Sequence, residues 1–334
     1  MDWSKGFSAK YYMTVVDKSS WRDFGRIELT GGKIKRTMND LRESADLNCV
    51  DYSSDIEQLI RVWLDAKQDG ESSHIPLFTG LASSPGRSIN GRYESNALQG
   101  YSVLKIAQDI LLPRGWYAPT GIGGGNLIKK LLSPIGAPIH LSENSPALKS
   151  AIISESNENN LSMTDKILDA IDWRLRLDGR GEIYIEPINK DPIVRFSSID
   201  NDILELSVDV TYDWYNCPNV YRAVMGDTSA IARDDDPNSL LSTVNRGREI
   251  WYEDSNCYLN ENETLADYTK RKLKDAQYVA YKLSYARRFD PDLRPEHVAT
   301  LNYPEQKISG NFVITDQSIE LTNGGRTSEE ALKI

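Results

Sequence analysis

The sequence predicts a mainly β protein with an inserted α+β module, and three observations support this fold class. Residues 1–100 contain short runs of alternating apolar and polar residues with no helical spacing between them. Residues 101–205 change to helical spacing with a few short strands, and residues 206–334 return to alternation around one long helix at about 264–288. Short strands at this spacing are typical of antiparallel sandwiches and barrels. We therefore expect a β region, an α+β module and a second β region.

Composition excludes several function classes. The chain has 334 residues, 40% of them hydrophobic and 26% charged, as in ordinary globular proteins. Asp and Glu outnumber Lys and Arg by 49 to 39, which argues against a nucleic-acid or anionic-membrane binder. No apolar run approaches the ~20 residues of a membrane span, and the first residues lack the pattern of a secretory signal.

The first β region is predicted to begin with a hairpin. Residues 26–30 and 33–37 alternate on either side of Gly31-Gly32, and glycine adopts a positive φ without steric cost. Further strands are predicted at residues 45–49, 60–64, 76–81 and 91–96, with a turn at 84–87.

The middle region is predicted to hold three helices. Apolar residues have helical spacing at residues 103–111, 126–132 and 163–174, and Pro113 ends the first of these segments. Ser162 is predicted to cap the third helix. A turn at 175–179 then leads into a strand at 182–186.

The last region contains the clearest alternation of the chain. Leu206, Val208, Val210, Tyr212 and Trp214 alternate with polar residues, which predicts a strand whose apolar side chains face a core. We expect Val210→Asp to prevent soluble assembly for that reason.

Three further elements complete this region. Thr264, with Asp267 three residues later, predicts the start of the long helix, which we expect to end at Arg287-Arg288. Additional strands are predicted at residues 220–225 and 311–322, the latter with Val313, Ile319 and Leu321 on one face.

Glycine-rich and acidic segments do not match known binding loops. The segment Gly121 to Gly125 lacks the Gly-Lys-Ser/Thr of a phosphate loop and is predicted to be a flexible surface loop. The acidic residues 234–238 resemble a calcium loop, but Ser239 and Asn245 replace the required glycine and glutamate. A solvated acidic loop is the better interpretation.

The search for chemistry identifies no candidate site. His74, His140 and His297 have no metal-ligand spacing, and the first two are predicted to be exposed in loops. The three cysteines, Cys49, Cys217 and Cys257, form no Cys-x-x-Cys pair and are expected to be buried apolar side chains. We predict no catalytic, cofactor-binding or metal-ligating residues, no cofactor, and no enzyme activity.

Aromatic residues have two interpretations. They cluster near the N-terminus and in the last region, at Trp3, Tyr11, Tyr12, Trp21, Trp214, Tyr215, Tyr221, Trp251, Tyr252, Tyr258, Tyr268, Tyr278, Tyr281 and Tyr285. They are either ordinary core and scattered surface residues, or part of a large permanent protein interface, where Tyr and Trp are enriched.

A series of short motifs suggests a family. They follow the Gly-Gly segment in order at residues 43–51, 76–82, 101–104, 111–117, 168–175, 218–223 and 318–325. Through their order and spacing the chain resembles the hub protein of bacteriophage tail tips and baseplates, and of related contractile or non-contractile injection machines.

The resemblance implies a homotrimer in which each subunit supplies two barrels similar to the tail-tube subunit, at residues 1–100 and 206–334. Three chains would then form a pseudo-sixfold ring that matches a hexameric tube. It also implies partners: the tail tube or distal tail protein ring, the tape measure protein, and a tip spike, fibre or lytic protein on another chain. The expected location is the virion, after synthesis in the host cytoplasm.

The same resemblance implies that DNA passes through the ring without specific binding. The net charge of −10 per chain becomes −30 per trimer, so we expect a net negative channel, with cations on outer and intersubunit faces. The competing hypothesis is a glycan-acting enzyme or carbohydrate-binding module, which aromatics and carboxylates could also serve.

Overall fold

The computed structural model describes residues 1–50, 52, 54, 56–83, 86–90, 93–142, 145–199, 204–255, 257–260 and 262–334. The chain is 47% strand and 15% helix, which confirms the predicted mainly β class. The predicted turn at 84–87 and strand at 91–96 lie partly outside the described residues.

The first part of the chain forms a ring of paired strands. Its strands are β1 (Ser8–Val16), β2 (Asp23–Thr37), β3 (Glu43–Cys49), β4 (Leu59–Gln68), β5 (Glu71–Ala82), β6 (Gly86–Asn90) and β7 (Tyr93–Ser102). The order β1-β4-β5-β7-β3-β2 returns to its start because β2 also pairs with β1, and β6 adds to β7. Alternation places Met13, Ile34, Leu47, Val62 and Phe78 in a common core.

The predicted hairpin at Gly31-Gly32 is wrong. Residues 23–37 form one continuous strand, β2, whose register against β3 shifts between Leu29 and Gly31. A Cβ atom at Gly32 would lie 2.5 Å from the carbonyl oxygen of Asp46, and its φ is +147°. The glycine therefore permits a close approach of strands within the sheet, not a turn.

The middle part packs helices and short strands against the first part. Its elements are α1 (Leu104–Gln108), β8 (Tyr117–Ala118), α2 (Gly124–Leu132), a 3₁₀ turn (Ser133–Ile135), β9 (Ile139–Leu141), β10 (Ile152–Ile153), α3 (Asn160–Ile171), β11 (Trp173–Leu177) and β12 (Ile183–Pro187). Ile128, Ile167 and Leu175 share a core with Val16 and Leu59 of the first part.

The predicted cap of α3 needs correction. Asn159, not Ser162, is the N-cap, because its side chain accepts a 2.8 Å hydrogen bond from the Ser162 amide. The Ser162 hydroxyl in turn accepts from the Asn159 amide at 3.1 Å. This reciprocal pair begins the helix one turn earlier than predicted.

The last part extends the same sheet. It contains β13 (Pro192–Ser197), β14 (Leu204–Tyr212), β18 (Tyr281–Arg288), β19 (Val298–Tyr303), β20 (Ile308–Glu320) and β21 (Arg326–Lys333). β20 pairs with β2, and the order continues β20-β21-β18-β14, with β19 and β13 on the other side of β20. One 13-stranded sheet therefore runs through both β parts.

A small sheet is inserted between β14 and β18. Its three strands are β15 (Val220–Met225), β16 (Thr228–Arg233) and β17 (Trp251–Asp254). The short helix α4 (Thr243–Arg246) lies between β16 and β17 in the chain, and α5 (Leu265–Tyr278) follows β17. Tyr221, Ala232 and Leu273 pack α5 onto this sheet.

The long helix predicted at 264–288 is only partly correct. Thr264 caps α5 as predicted, since its side chain accepts from the Asp267 amide at 3.2 Å. The helix ends at Tyr278, and the next residues form β18, in which Leu283 and Tyr285 are buried. Pairing with β14 on one side and β21 on the other stabilises the strand over a longer helix.

The predicted strand at 206–214 is confirmed, but its predicted burial is wrong. Leu206 is 69% exposed and Val210 37% exposed. β14 is the last strand in the sheet order and pairs only with β18 among the described residues, so its apolar side chains extend beyond the core.

The final strands also differ from prediction. The register of β20 against β21 shifts between Ile314 and Asp316, so Ile319 is buried while Val313 lies on the other face. β21 itself was not predicted. Among the described residues, no helix is both long and apolar enough to cross a bilayer.

Candidate functional site

A polar groove with a volume of about 750 Å³ lies on the shared sheet. Register places its side chains: Lys33 pairs with Glu320, Lys35 with Ser318 and Thr37 with Asp316 across the β2–β20 junction. Paired residues of antiparallel strands lie on the same face. Because β21 and β18 continue this face with Ser328, Glu330 and Ser284, the groove spans both β parts.

The groove is net negative. Its lining contains the five cations Lys33, Lys35, Arg36, Arg42 and Arg326, and the seven acids Asp40, Glu43, Glu205, Asp209, Asp316, Glu329 and Glu330, a formal charge of −2. Most of the cations are paired. Arg326 contacts Glu205 at 2.6 Å, and Lys35 lies 3.4 Å from Asp46.

The base of the groove is a buried junction network, formed by Arg36, Glu43, Arg287, Arg294, Gln317 and Glu329. On the first part, Arg36 donates to Glu43 at 3.1 Å and to Gln317 of β20 at 2.8 Å. Arg294, from the loop after β18, donates to the same Glu43 oxygen at 2.8 Å and to the Leu177 carbonyl at 3.0 Å. The network therefore joins all three parts of the chain.

Its second half is a bidentate ion pair. Glu329 of β21 accepts from Arg287 of β18 at 2.9 and 2.5 Å, and from Gln317 at 2.7 Å. Burial opposes ionisation of Glu329, but Arg287 and these hydrogen bonds hold its pKa below the usual value.

The first half of the network is less favourable electrostatically. Burial lowers the pKa of Arg36 to about 9, which still leaves the guanidinium charged at neutral pH. Burial also raises the pKa of Glu43, even though Arg36 and Arg294 oppose the shift. In a buried pair of this kind, the cost of desolvating both charges offsets much of their Coulombic attraction.

Glu296 extends the network towards the middle part. Its backbone has φ +70°, and its carboxylate lies 3.8 Å from Arg174 of β11. Burial raises the pKa of Glu296 to about 7, against the nearby Arg42 and Arg174. Burial, with Arg174 and Arg176 nearby, lowers the pKa of the adjacent His297 to about 4.

A second feature is the apolar edge, which we define as Leu206, Val210, Tyr212, Trp214 and Tyr215. All five side chains are exposed, Tyr215 to 81%. Tyr212 stacks on Trp214 with ring centroids 5.6 Å apart and meets Tyr281 edge-on at 5.1 Å. Apolar residues along an edge strand are a surface for protein association.

The two predicted loop histidines and part of the glycine-rich segment belong to regular elements. His74 and His140 are exposed as predicted, but they lie on β5 and β9, where they contact Asp65 and Glu182. The predicted flexible loop at Gly121 to Gly125 is wrong in its last residues. Gly124 and Gly125 begin α2, and a Cβ at Gly125 would lie 2.4 Å from Leu141 Cδ1, so these glycines permit helix packing.

The cysteines and the acidic segment lie as predicted. Cys49, Cys217 and Cys257 are buried, as predicted. Residues 235–238 are exposed, in agreement with a solvated acidic loop. Within the part of the chain that the structure describes, no group of three His, Cys, Asp or Glu side chains could hold a metal ion.

Sequence reasoning missed the junction network. A signal was present, because alternation already places Arg36 beside Ile34, Glu43 beside Ala45, and Glu329 beside Ala331 on inward faces. Charged residues at inward positions of strands indicate buried pairing. The partners themselves are far apart in sequence, so only the fold identifies them.

Solved structures of phage tail proteins share this fold. A tail protein from Neisseria meningitidis has a TM-score of 0.71 and 16% identity, over 98% of this chain and 97% of that one. The 43 kDa tail protein of prophage MuSo2 from Shewanella oneidensis has a TM-score of 0.70 and 12% identity, over 98% and 97%. A prophage tail protein from Listeria monocytogenes has a TM-score of 0.60 and 10% identity, over 97% and 94%.

No protein-family model and no curated protein matches the chain. The similarity to solved structures nevertheless extends over nearly the whole chain. It has the fold of phage tail proteins, and the resemblance drawn from the sequence motifs is confirmed at the level of the fold.

Proposed function

We propose that this protein is a structural hub of a phage or phage-derived tail tip or baseplate. In this proposal three copies form a ring that joins the tail tube to the tip and encloses part of the DNA channel. The single observation that carries it is the continuous sheet, in which the β2–β20 pairing fixes two β parts side by side. Three chains would then present six such parts, the number that a hexameric tube requires.

Each of the three parts of the chain has its own role in this proposal. Residues 1–100 and 206–334 would supply the two tube-like barrels, and residues 101–205 the inserted module, except that β13 (Pro192–Ser197) would join the second barrel through its pairing with β19. The apolar edge on β14 is the proposed contact between copies, since its exposed aromatic and aliphatic side chains are typical of permanent interfaces.

The polar groove is the proposed channel lining. Its formal charge of −2 and its serine-rich floor offer DNA phosphates few free cations to bind. Weak repulsion, screened over a Debye length of ~8 Å, would let DNA slide past. This arrangement supports a structural role for the groove.

The proposed partners and location derive from this role. They are the tail tube or distal tail protein ring, the tape measure protein, and a spike, fibre or lytic protein on another chain. The protein would reside in the virion after synthesis in the host cytoplasm.

Solution mass and electron microscopy test the proposal. The chain has a mass of 37.7 kDa, so a trimer should give about 113 kDa by light scattering and rings in negative stain. A monomer at micromolar concentration, with no rings after mixing with tail-tube protein, would contradict it.

One observation favours the competing function. The exposed Tyr212–Trp214 stack is the kind of aromatic surface on which sugar rings pack. A monomer that binds peptidoglycan fragments, and loses this binding in Trp214→Ala, would support the carbohydrate-binding module.

A further inference from the structure

A small, partly enclosed space lies where the three parts of the chain meet. Its volume is about 20 Å³, and it is lined by Arg36, Arg42 and Glu43 of the first part, Arg176 of β11, and Arg294 and Glu296 of the last part. A space of roughly 10–15 Å³ already holds one water molecule. The cavity therefore has room for one small ligand.

Two buried polar atoms of this lining have no hydrogen-bond partner. They are Glu43 Oε2, an acceptor, and Arg42 Nε, a donor. Glu43 is 4% exposed and its other oxygen already accepts from Arg36 and Arg294. Arg42 is held by Asp165, to which its terminal nitrogen donates at 2.7 Å. Both side chains are thus fixed, with one unsatisfied atom each.

We propose that the cavity binds one ordered water molecule, which accepts a hydrogen bond from Arg42 Nε and donates one to Glu43 Oε2. Water has the required size, and it is both donor and acceptor. A buried donor and a buried acceptor in the same small polar cavity are the usual setting for an internal water.

Charge distinguishes water from other small ligands. Four guanidinium groups line the cavity, so a metal cation would be repelled. Chloride would be attracted by the guanidiniums, but it cannot donate to Glu43 Oε2 and would leave that carboxylate oxygen unsatisfied. The unpaired acceptor therefore favours water over an anion.

The bound water would complete the junction network. Glu43 would then accept from two arginines through one oxygen and from water through the other, so that both oxygens are satisfied at the meeting point of the three parts. This inference concerns the protomer and does not depend on the proposed function.

A high-resolution crystal structure from sodium bromide solution tests the proposal. We expect a density peak within about 2.6–3.2 Å of both Glu43 Oε2 and Arg42 Nε, without an anomalous bromide signal. A bromide peak would assign the site to an anion and overturn the proposal. Empty density, or direct contact between the two atoms, would overturn it as well.

Oxygen-17 relaxation dispersion gives an independent count in solution. Arg42→Met should lose one long-lived water per chain relative to wild type, because the donor is removed and the methionine methyl fills part of the cavity. Arg22→Met, at an exposed position, is the matched control and should lose none. An unchanged count in a folded Arg42→Met protein would contradict the proposal. If this variant does not fold, the density in the wild-type crystal structure tests the proposal by itself.

Discussion

Individual residues determine how closely the three parts of the chain approach one another. Gly179, between β11 and β12, lies against β5: a Cβ at this position would be 1.8 Å from the Pro76 carbonyl oxygen. Thr79 of β5 donates to the Gly179 carbonyl at 2.9 Å. Only glycine permits this contact between the middle and first parts.

We predict that Gly179→Ala lowers the free energy of unfolding by about 1–3 kcal/mol, because the backbone must move away from Pro76. Chemical denaturation measures the change. Gly31→Ala is the control, since nothing lies within 4 Å of its Cβ position and its φ is not positive. Equal stabilities of the two variants would mean that the module is not docked as described.

Glu296 makes stability depend on pH. Its folded pKa of about 7 lies above the ordinary value of 4.5, so the folded state binds the proton more tightly than the unfolded state. Protonated Glu296 therefore contributes its whole share to the free energy of unfolding below about pH 4.5, and this share is lost as pH rises through 7.

We therefore predict that Glu296→Gln gains about 1–2 kcal/mol of stability relative to wild type between pH 5.5 and pH 8. Comparing variant and wild type at each pH cancels the opposite effect of His297, whose contribution to stability is lost as pH falls from its ordinary pKa of 6.5 through its folded pKa of about 4. The exposed Glu305→Gln is the control and should show no such trend. A pH-independent difference for Glu296→Gln would refute the prediction.

At the scale of elements, the neighbours of a strand decide what it buries. β14 and β18 both alternate, and Val210 is paired with Leu283 between them. Leu283 is fully buried because β21 lies on its other side, whereas Val210 is exposed because β14 is the last strand in the sheet order.

This exposure changes the expected effect of Val210→Asp. The charge would not enter a core, so we expect the variant to fold and melt within about 0.5 kcal/mol of wild type. If copies associate through the apolar edge as proposed, the variant should instead shift the light-scattering mass from trimer to monomer, because a charge at this edge disfavours association. Ile231→Asp is the control: this apolar position on the small sheet is 53% exposed, against 37% for Val210, and the variant should keep the proposed trimer. Unfolding of Val210→Asp would contradict this prediction and would indicate that Val210 is buried in a core.

At the scale of the whole molecule, the continuous sheet separates a buried polar layer from an exposed one. Arg36 and Glu329 are buried in the junction network at the base of the groove, and their neighbours Lys35 and Glu330 lie on its more exposed surface. Alternation along the same strands thus builds both the joint between the β parts and the proposed channel lining.

We predict that Asp316→Lys with Glu330→Lys, which changes the groove from −2 to +2 per chain, converts the protein into a salt-sensitive DNA binder. Filter binding with duplex DNA at low salt measures retention, which should be weak for wild type. Asp227→Lys with Glu305→Lys changes the net charge equally at exposed turns and should retain less DNA. Equal retention by both double variants would argue that the groove does not face DNA.

The sequence by itself determined the mainly β class, most strand positions and the N-cap at Thr264, because periodicity and capping are local properties. It also contained motifs whose order indicated the tail-protein fold. Only the tertiary structure decided that Gly32 lies within a strand, that residues 281–288 leave the helix, and that the apolar edge is exposed. These outcomes depend on pairing with strands distant in sequence. The junction network has the same origin, since Arg36 and Gln317 meet only when β2 pairs with β20 and a buried charge must find a partner.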